Sequence, residues 1–151
     1  MTIHIIETGY FKLDGGAMFG VVPKTLWQKK NKPDENNLCT WSMRCLLIEH
    51  GERRILVDTG IGDKQDEKFR SHFEPHGAAS LMGSLQQAGF EPQSITDVLL
   101  THLHFDHVGG AVKYDANQNL VPAFPNATYW SNEVHYNWAY YPNPREKASF
   151  L

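Results

Sequence analysis

The sequence of 151 residues is 41% hydrophobic and 21% charged, which is enough apolar material for one globular domain and excludes a disordered tail. The formal net charge of −3 offers no basic patch for a phosphate backbone, so we expect no nucleic-acid partner. No apolar stretch reaches the length of a membrane span, and the first residues lack the features of a signal peptide. We therefore predict a cytoplasmic protein without a membrane partner, in which Cys39 and Cys45 are free thiols.

The beginning of the chain is predicted to form strands. Residues 3–13 and 17–22 are rich in strand-forming residue types, and the run Asp14-Gly15-Gly16 between them is typical of a turn. A polar stretch with a proline follows at residues 29–37 and predicts a surface loop.

A hairpin and a helix are predicted next. Residues 40–50 and 53–62 are two β-rich runs joined by a two-residue turn, which indicates a β-hairpin. Residues 63–76 are charged and are expected to be irregular. Apolar residues recur at helical spacing over residues 78–88, and Gly89 stands where a helix commonly ends.

The last third of the chain alternates strands and helices. Residues 94–102 predict a buried strand and residues 127–130 a short one. Helices are expected to begin at Ser131 and at Pro144. These elements predict an α/β fold in which the hairpin of residues 41–58 and the strand of residues 95–101 share one sheet.

Residues 99–110, "LLTHLHFDHVGG", place three histidines and an aspartate within six positions. Alternate side chains of an extended segment point the same way, so His102 and His104 can converge on one cation. Asp106 and His107 follow where the chain turns and can face a second cation close by. Imidazole with carboxylate and no thiolate suits Zn²⁺ best, with Fe or Mn as substitutes set by availability.

This loop resembles the hallmark His-x-His-x-Asp-His motif of the metallo-β-lactamase superfamily, and "ILVDTG" resembles the strand and Asp-Thr-Gly that precede it there. Within the superfamily, the stretches "LDGGAMFGVVPKTLW" and "VPAFPNATYW…NPREKASFL" are most similar to the quorum-quenching (N-acyl homoserine lactone) lactonase branch. The resemblance implies the N-terminal half of an αββα sandwich, with residues 1–151 forming a domain that is truncated at its C-terminus. It also implies that Asp58 orients a ligand imidazole. A simple strand-end turn is the alternative for Asp58.

The function that the resemblance implies is hydrolysis of a lactone or other ester by a hydroxide activated by two metal ions. Asp106 would be both a ligand and the acid/base that delivers a proton to the leaving alkoxide. Met18, Phe19 and Trp27 resemble an apolar rim for an acyl chain, although core packing explains them equally well. A thioesterase of the glyoxalase II kind, an organophosphate hydrolase and a non-catalytic metal-binding fragment remain alternatives.

The ligand count of the loop is one short for each ion, since a catalytic zinc takes three protein ligands and a water. The resemblance implies that the remaining ligands lie beyond Leu151. Since half a sandwich exposes apolar faces, we expect a complementing C-terminal half, or a second copy in a homodimer, to cover them. We interpret His135 as part of a packed surface helix, while the remaining histidines fit no ligand pattern: His4, His50, His72 and His76. The expected substrate is a small-molecule ester or lactone.

Overall fold

The computed structural model describes residues 1–150 and divides them into two compact units. The first unit contains residues 1–8, 43–64 and the chain from Ala79 onwards, and the second contains Gly9–Ser42 and Gln65–Ala78. The strands are β1 (Thr2–Asp14), β2 (Leu38–His50), β3 (Arg53–Val57), β4 (Asp97–Leu99), β5 (Val112–Tyr114), β6 (Leu120–Pro122) and β7 (Thr128–Trp130). The helices are α1 (Gly15–Phe19), α2 (Lys24–Trp27), α3 (Glu67–Phe73), α4 (Leu81–Gln87), α5 (Phe105–Val108) and α6 (Glu133–Tyr140).

Five strands form the main sheet in the order β1-β2-β3-β4-β7. Strands β2 and β3 pair as an antiparallel hairpin, whereas β4 runs parallel to β3 and β7 runs parallel to β4. The hairpin and β4 therefore lie in one sheet, as the sequence predicts. Because β3, β4 and β7 are parallel, the segments that follow their carboxyl ends leave the same edge of the sheet.

One face of this sheet forms the core of the first unit. Leu47 pairs with Leu56 and Leu56 with Val98, and all three side chains have no exposed surface. Helix α4 packs on them through Leu81 and Leu85, which belong to the same buried cluster. The serine before the helix accepts a hydrogen bond from Gly83 N, and Gly89 follows its end with φ +87°. The predicted helix of residues 78–88 is thus confirmed with slightly shorter bounds.

The opposite face of the sheet carries an apolar row that is partly open to solvent. The neighbouring register row runs from Leu46 through Val57 and Leu99 to Trp130. Leu46, Leu99 and Trp130 are 39%, 42% and 49% exposed. A sheet that exposes such a row has a buried face on one side only.

Two predicted elements differ from the structure, which has helices α1 and α3 in their place. Residues 17–22 are not a strand, because the Asp14 carboxylate accepts hydrogen bonds from Gly16 N and Ala17 N and so caps helix α1. Residues 63–76 are not irregular throughout: Asp66 accepts a hydrogen bond from Phe69 N at 2.7 Å and caps helix α3. In both cases the capping side chain satisfies amide groups that have no partner inside the helix.

The end of the chain differs from prediction in two details. Helix α6 begins at Glu133 behind the cap residue Asn132, one residue later than the predicted cap. No α-helix begins at Pro144: the Asn143 side chain accepts hydrogen bonds from Arg145 N and Glu146 N as a helix cap would, but only a 3-10 turn, Lys147–Ser149, follows.

Helices long and apolar enough to cross a bilayer are absent from the described residues.

Candidate metal centre

The histidine loop follows strand β4 at the edge where the parallel strands end. His102 and His104 stand in the extended stretch before helix α5, and Asp106 and His107 lie on the helix. The imidazole rings pack closely, with centroids 4.7 Å apart for His102 and His104 and 3.8 Å apart for His102 and His107. The structure therefore brings the four predicted ligands into one cluster.

Asp58 follows the end of strand β3 and holds this cluster in place. Its carboxylate accepts hydrogen bonds from Nδ1 of His107 at 2.8 Å, from Thr101 N at 2.9 Å and from the Thr101 hydroxyl at 2.8 Å. The residue is only 8% exposed and has φ +60°, a left-handed conformation that Asp and Asn tolerate better than most residues. Because Nδ1 of His107 donates to Asp58, its Nε2 is left to face a ligand.

The backbone of the loop is clamped to the segment after β3. Thr59 donates from its amide to the His107 carbonyl at 2.7 Å and from its hydroxyl to the same oxygen at 3.0 Å. Gly110 N donates to the Gly60 carbonyl at 3.0 Å, and a Cβ on Gly110 would lie 2.3 Å from the Thr59 carbonyl oxygen. The Lys64 ammonium donates to the Gly109 carbonyl. Only glycine at position 110 permits this close approach.

The electrostatic environment separates the histidines into two kinds. Burial, helped by the neighbouring imidazoles, lowers the pKa of His102, and burial also lowers the pKa of His104, which favours the neutral form that binds metals. Burial alone would lower the pKa of His107, but the hydrogen bond to Asp58 and the nearby carboxylates outweigh it and raise that pKa. Burial would raise the pKa of Asp58, and its hydrogen bonds with His107 and Thr101 lower it instead.

The donor set fits divalent metal ions in its chemistry. Imidazole nitrogens and one carboxylate lie together without a thiolate, which is a zinc-type ligand set. Oδ2 of Asp106 lies 3.5 Å from Nε2 of His107, close to the spacing of about 3.3 Å for two ligands of one tetrahedral zinc ion. Across residues 1–150, no group of three donors already converges on a common point. The residues therefore fit as parts of ligand sets, not as a finished cage.

A fourth histidine lies beside the cluster, where sequence reasoning did not place it. The His135 ring on helix α6 has its centroid 5.9 Å from that of His102 and 6.0 Å from that of His104. Nε2 of His135 is buried and has no hydrogen-bond partner among the described residues. Strand β7 leads to α6 and runs parallel to β4, so both segments leave the same edge of the sheet. That pairing is the signal that could have located His135.

The other site residue that the sequence analysis did not identify is Thr101, which donates hydrogen bonds to the same Asp58 carboxylate as His107. Its position immediately before His102 in "LLTHLHFDH" is the only sequence signal for it.

The three residues predicted to line a substrate rim lie in the second unit. Phe19 stacks on Trp27 with ring centroids 4.8 Å apart, and Trp27 is only 6% exposed. Met18 is 41% exposed. Trp27 thus has the packing of a core residue within its unit, whereas Met18 is accessible.

Comparison of the sequence with known proteins finds relatives of this chain. The model of the metallo-beta-lactamase superfamily matches residues 44–148. An N-acyl homoserine lactonase, AiiA, from Bacillus thuringiensis subsp. kurstaki is 32% identical over 84 residues, which cover 49% of this chain and 32% of that lactonase. The chain thus spans about a third of the length of that relative.

Solved structures agree with the sequence match. A probable metal-dependent hydrolase from Staphylococcus aureus superposes with a TM-score of 0.88 at 32% identity, covering 99% of this chain and 53% of that one. The dizinc quorum-quenching lactonase AidC, solved with a product, gives a TM-score of 0.66 at 27% identity and covers 91% of this chain and 43% of that one. The predicted fold is therefore confirmed, and the chain belongs to the metallo-beta-lactamase superfamily.

Proposed function

We propose that the protein to which this chain belongs is a metal-dependent hydrolase of lactones or related esters. The observation that carries the proposal is the clustering of His102, His104, Asp106 and His107, in which Asp58 orients the imidazole of His107. The similarity of the chain to N-acyl homoserine lactonases supports a lactone as the substrate class.

His102 and His104 would hold one ion, and Asp106 and His107 the other. Zinc bound there supplies Lewis-acid polarisation of the ester carbonyl and a water whose pKa falls toward about 7, and Fe or Mn is an alternative by availability. The Asp106 carboxylate, whose side chain is 20% exposed, would take up a proton and return it to the alkoxide oxygen of the opened ring. Asp58 and Thr101 keep the His107 ring in one orientation throughout.

We propose that Met18 and Phe19 contribute to the acyl-binding rim, with Trp27 supporting Phe19 from behind. The stacking of Phe19 on Trp27 supports this division of roles, because a buried ring fixes the orientation of the ring it touches.

The open apolar face of the sheet supports a partner for this chain. We propose that it is covered either by further residues of a longer protein that complete one domain with residues 1–151, or by a second copy in a homodimer. We also propose a cytoplasmic location, which the two free and buried cysteines support.

A substrate panel with the zinc-loaded protein tests the proposal. N-acyl homoserine lactones of increasing chain length, a glutathione thioester and a phosphotriester are compared by kcat/KM, with the Asp106→Asn variant as the catalytic control. Cleavage of lactones that vanishes in Asp106→Asn supports lactonase activity. Preference for the thioester or the phosphotriester would reassign the substrate class, and metal retention without turnover of any substrate would support a non-catalytic fragment.

A further inference from the structure

We propose that His135 on helix α6 recognises the amide group of an N-acyl lactone through a hydrogen bond at Nε2. The inference rests on the proposed function, since it takes the histidine loop to be the place where the lactone ring is opened. It deepens that function by naming the substrate class, a lactone whose ring carries an acylated amine. His135 would determine specificity in this way and take no part in the cleavage itself.

His135 lies close enough to the histidine loop to reach a substrate held there. Its ring centroid is 5.9 Å from that of His102 and 6.0 Å from that of His104. In an N-acyl homoserine lactone, the amide nitrogen is bonded to the ring carbon next to the lactone carbonyl. A lactone carbonyl at the loop therefore brings the amide into the neighbourhood of His135.

The Nε2 atom of His135 is buried and lacks a hydrogen-bond partner within residues 1–150. A buried polar atom without a partner is unfavourable, and native structures normally satisfy it with protein groups, water or a ligand. An imidazole nitrogen donates or accepts according to its tautomer, and a secondary amide offers both an N–H donor and a carbonyl acceptor. An amide therefore suits His135 in either tautomer, whereas an ester group offers acceptors alone. Because the atom is covered, the side chain must turn about its torsions for a ligand to reach it.

Two aromatic rings border His135 and make its surroundings apolar. Phe150 contacts both His104 and His135, with centroid distances of 5.2 and 5.8 Å, and Trp138 lies 6.0 Å from His135. Trp138 is 42% exposed, so part of this aromatic surface is open to a ligand. A substrate without the amide would leave Nε2 unpaired beside these rings, and a site built to form a hydrogen bond discriminates against such a substrate. The rings themselves suit the acyl carbons next to the amide.

The backbone of His135 is held by the cap of its helix. The Asn132 side chain accepts hydrogen bonds from Val134 N at 2.9 Å and from His135 N at 3.2 Å, which anchors the first turn of α6. Strand β7 leads to α6 and pairs in parallel with β4, which leads to the histidine loop. The sheet and the cap therefore hold His135 beside the loop, and only its side chain needs to move.

A matched pair of lactones tests the role of the amide. N-hexanoyl homoserine lactone is compared with α-heptyl-γ-butyrolactone, in which a hydrocarbon chain of equal length replaces the acylated amine. In the zinc-loaded chain, we expect His135→Phe to reduce kcat/KM for the amide lactone about 10- to 100-fold, mainly through KM, and to affect the alkyl lactone far less. His135→Gln keeps a donor and an acceptor and should restore part of the loss. His50→Phe, at an exposed histidine of the same unit, is the control and should change neither.

Binding of the ring-opened products gives a readout that does not need turnover. Calorimetry measures the Kd of N-hexanoyl homoserine and of the opened alkyl lactone for the unchanged chain and for each variant, and circular dichroism shows which variants have kept their fold. His135→Leu is used in place of His135→Phe where the larger ring disturbs the fold. A preference for the amide-bearing product that disappears in the apolar variant and returns in His135→Gln supports the proposal.

The outcomes separate this inference from the proposed function. Equal effects of a folded apolar variant on both members of each pair, or no effect on either, would overturn the role of His135 and leave the lactonase proposal standing. An unchanged chain that favours the alkyl ligands would overturn that role as well. Failure of the zinc-loaded chain to hydrolyse either lactone and to bind either product would overturn the proposed function together with the role of His135.

Discussion

The Asp58 carboxylate accepts a hydrogen bond from Nδ1 of His107 at 2.8 Å, and this contact links the end of strand β3 to the helix that carries the second half of the histidine motif. The same carboxylate binds the amide and hydroxyl of Thr101 just before His102. One buried aspartate therefore sets the orientation of His107 and the path of the chain into the loop.

Replacement of Asp58 by Asn should weaken metal binding about 10- to 100-fold, because the neutral amide holds the His107 imidazole less firmly. The positive φ of 60° is tolerated by Asn, so the fold should survive. Zinc titration and thermal melting measure the two effects separately. Asp63→Asn, at an exposed aspartate of the same unit, is the control and should change neither. Equal metal affinity in Asp58→Asn and the unchanged chain would leave Asp58 as a strand-end turn residue.

Replacement of Asp106 by Asn should reduce turnover far more than stability. A positioned acid or base contributes about 10²- to 10⁴-fold to rate, whereas Asp106 is only partly buried and its loss should shift the melting temperature little. Ester hydrolysis by the metal-loaded protein and the melting curve are measured on the same preparation. An unchanged rate would remove Asp106 from the mechanism.

Gly110 should not tolerate a side chain. A Cβ at this position would lie 2.3 Å from the Thr59 carbonyl oxygen, so Gly110→Ala must separate the loop from the segment after β3 and lower the free energy of unfolding by about 1–3 kcal/mol. Gly83→Ala in helix α4 is the matched control: its Cβ would lie 3.0 Å from the Ser80 hydroxyl that caps the helix, so the loss is limited to that cap, about 1 kcal/mol, and the higher helix propensity of alanine offsets it by about as much. Urea unfolding of both variants compares them. Similar stabilities for the two would contradict the close approach at Gly110.

The elements that sequence patterns predicted well are those whose signals are local and unopposed. The alternation in β2 and β3 places Leu47 and Leu56 on one face, and that face is the core. Helix α1 was missed because its apolar residues have strand-like types, and Asp14 before two glycines indicates a turn as readily as a cap. The cap at Asp66 was a usable signal for α3, but the surrounding charges obscured it.

In the candidate site, too, contacts between residues near in sequence were predictable and contacts between distant segments were not. The four motif residues lie within six positions, so their proximity follows from the sequence, whereas the nearness of His135 depends on the parallel pairing of β4 with β7. Strand pairing between distant segments is a tertiary property that periodicity does not encode. The Asp58–Thr101 contact likewise depends on the pairing of β3 with β4.

Stability should fall in acid through Asp97. The guanidinium of Arg53, with the Thr96 hydroxyl and the Trp130 indole, lowers the pKa of this buried carboxyl to about 2, below its ordinary value of 3.8. A depressed pKa stabilises the fold at pH values above the unfolded pKa, and the contribution is lost as the pH falls from about 4 toward 2. Asp97→Asn should therefore be less stable by about 1.5–3 kcal/mol at pH 7 and approach the unchanged chain at pH 2–3.

Urea midpoints of the two chains at pH 7, 4 and 3 check this convergence. Asp63→Asn is again the control, because that aspartate is exposed. A stability difference that stays constant from pH 7 to pH 3 would show that Asp97 contributes through packing and not through its charge.

The open face of the sheet predicts self-association of the chain. The row of Leu46, Leu99 and Trp130 is 39–49% exposed, and about 300 Å² of apolar area at about 25 cal/mol per Å² corresponds to about 7 kcal/mol, within the range of a whole domain's stability. The 151-residue chain alone should therefore form dimers or larger species that light scattering detects. Leu46→Glu combined with Leu99→Glu should shift the distribution toward monomer, because two carboxylates oppose burial of the face. Val134→Glu, an exposed apolar site on helix α6, should not. A monodisperse, cooperatively melting monomer that holds two zinc ions tightly would contradict both the need for a covering partner and the count of missing ligands.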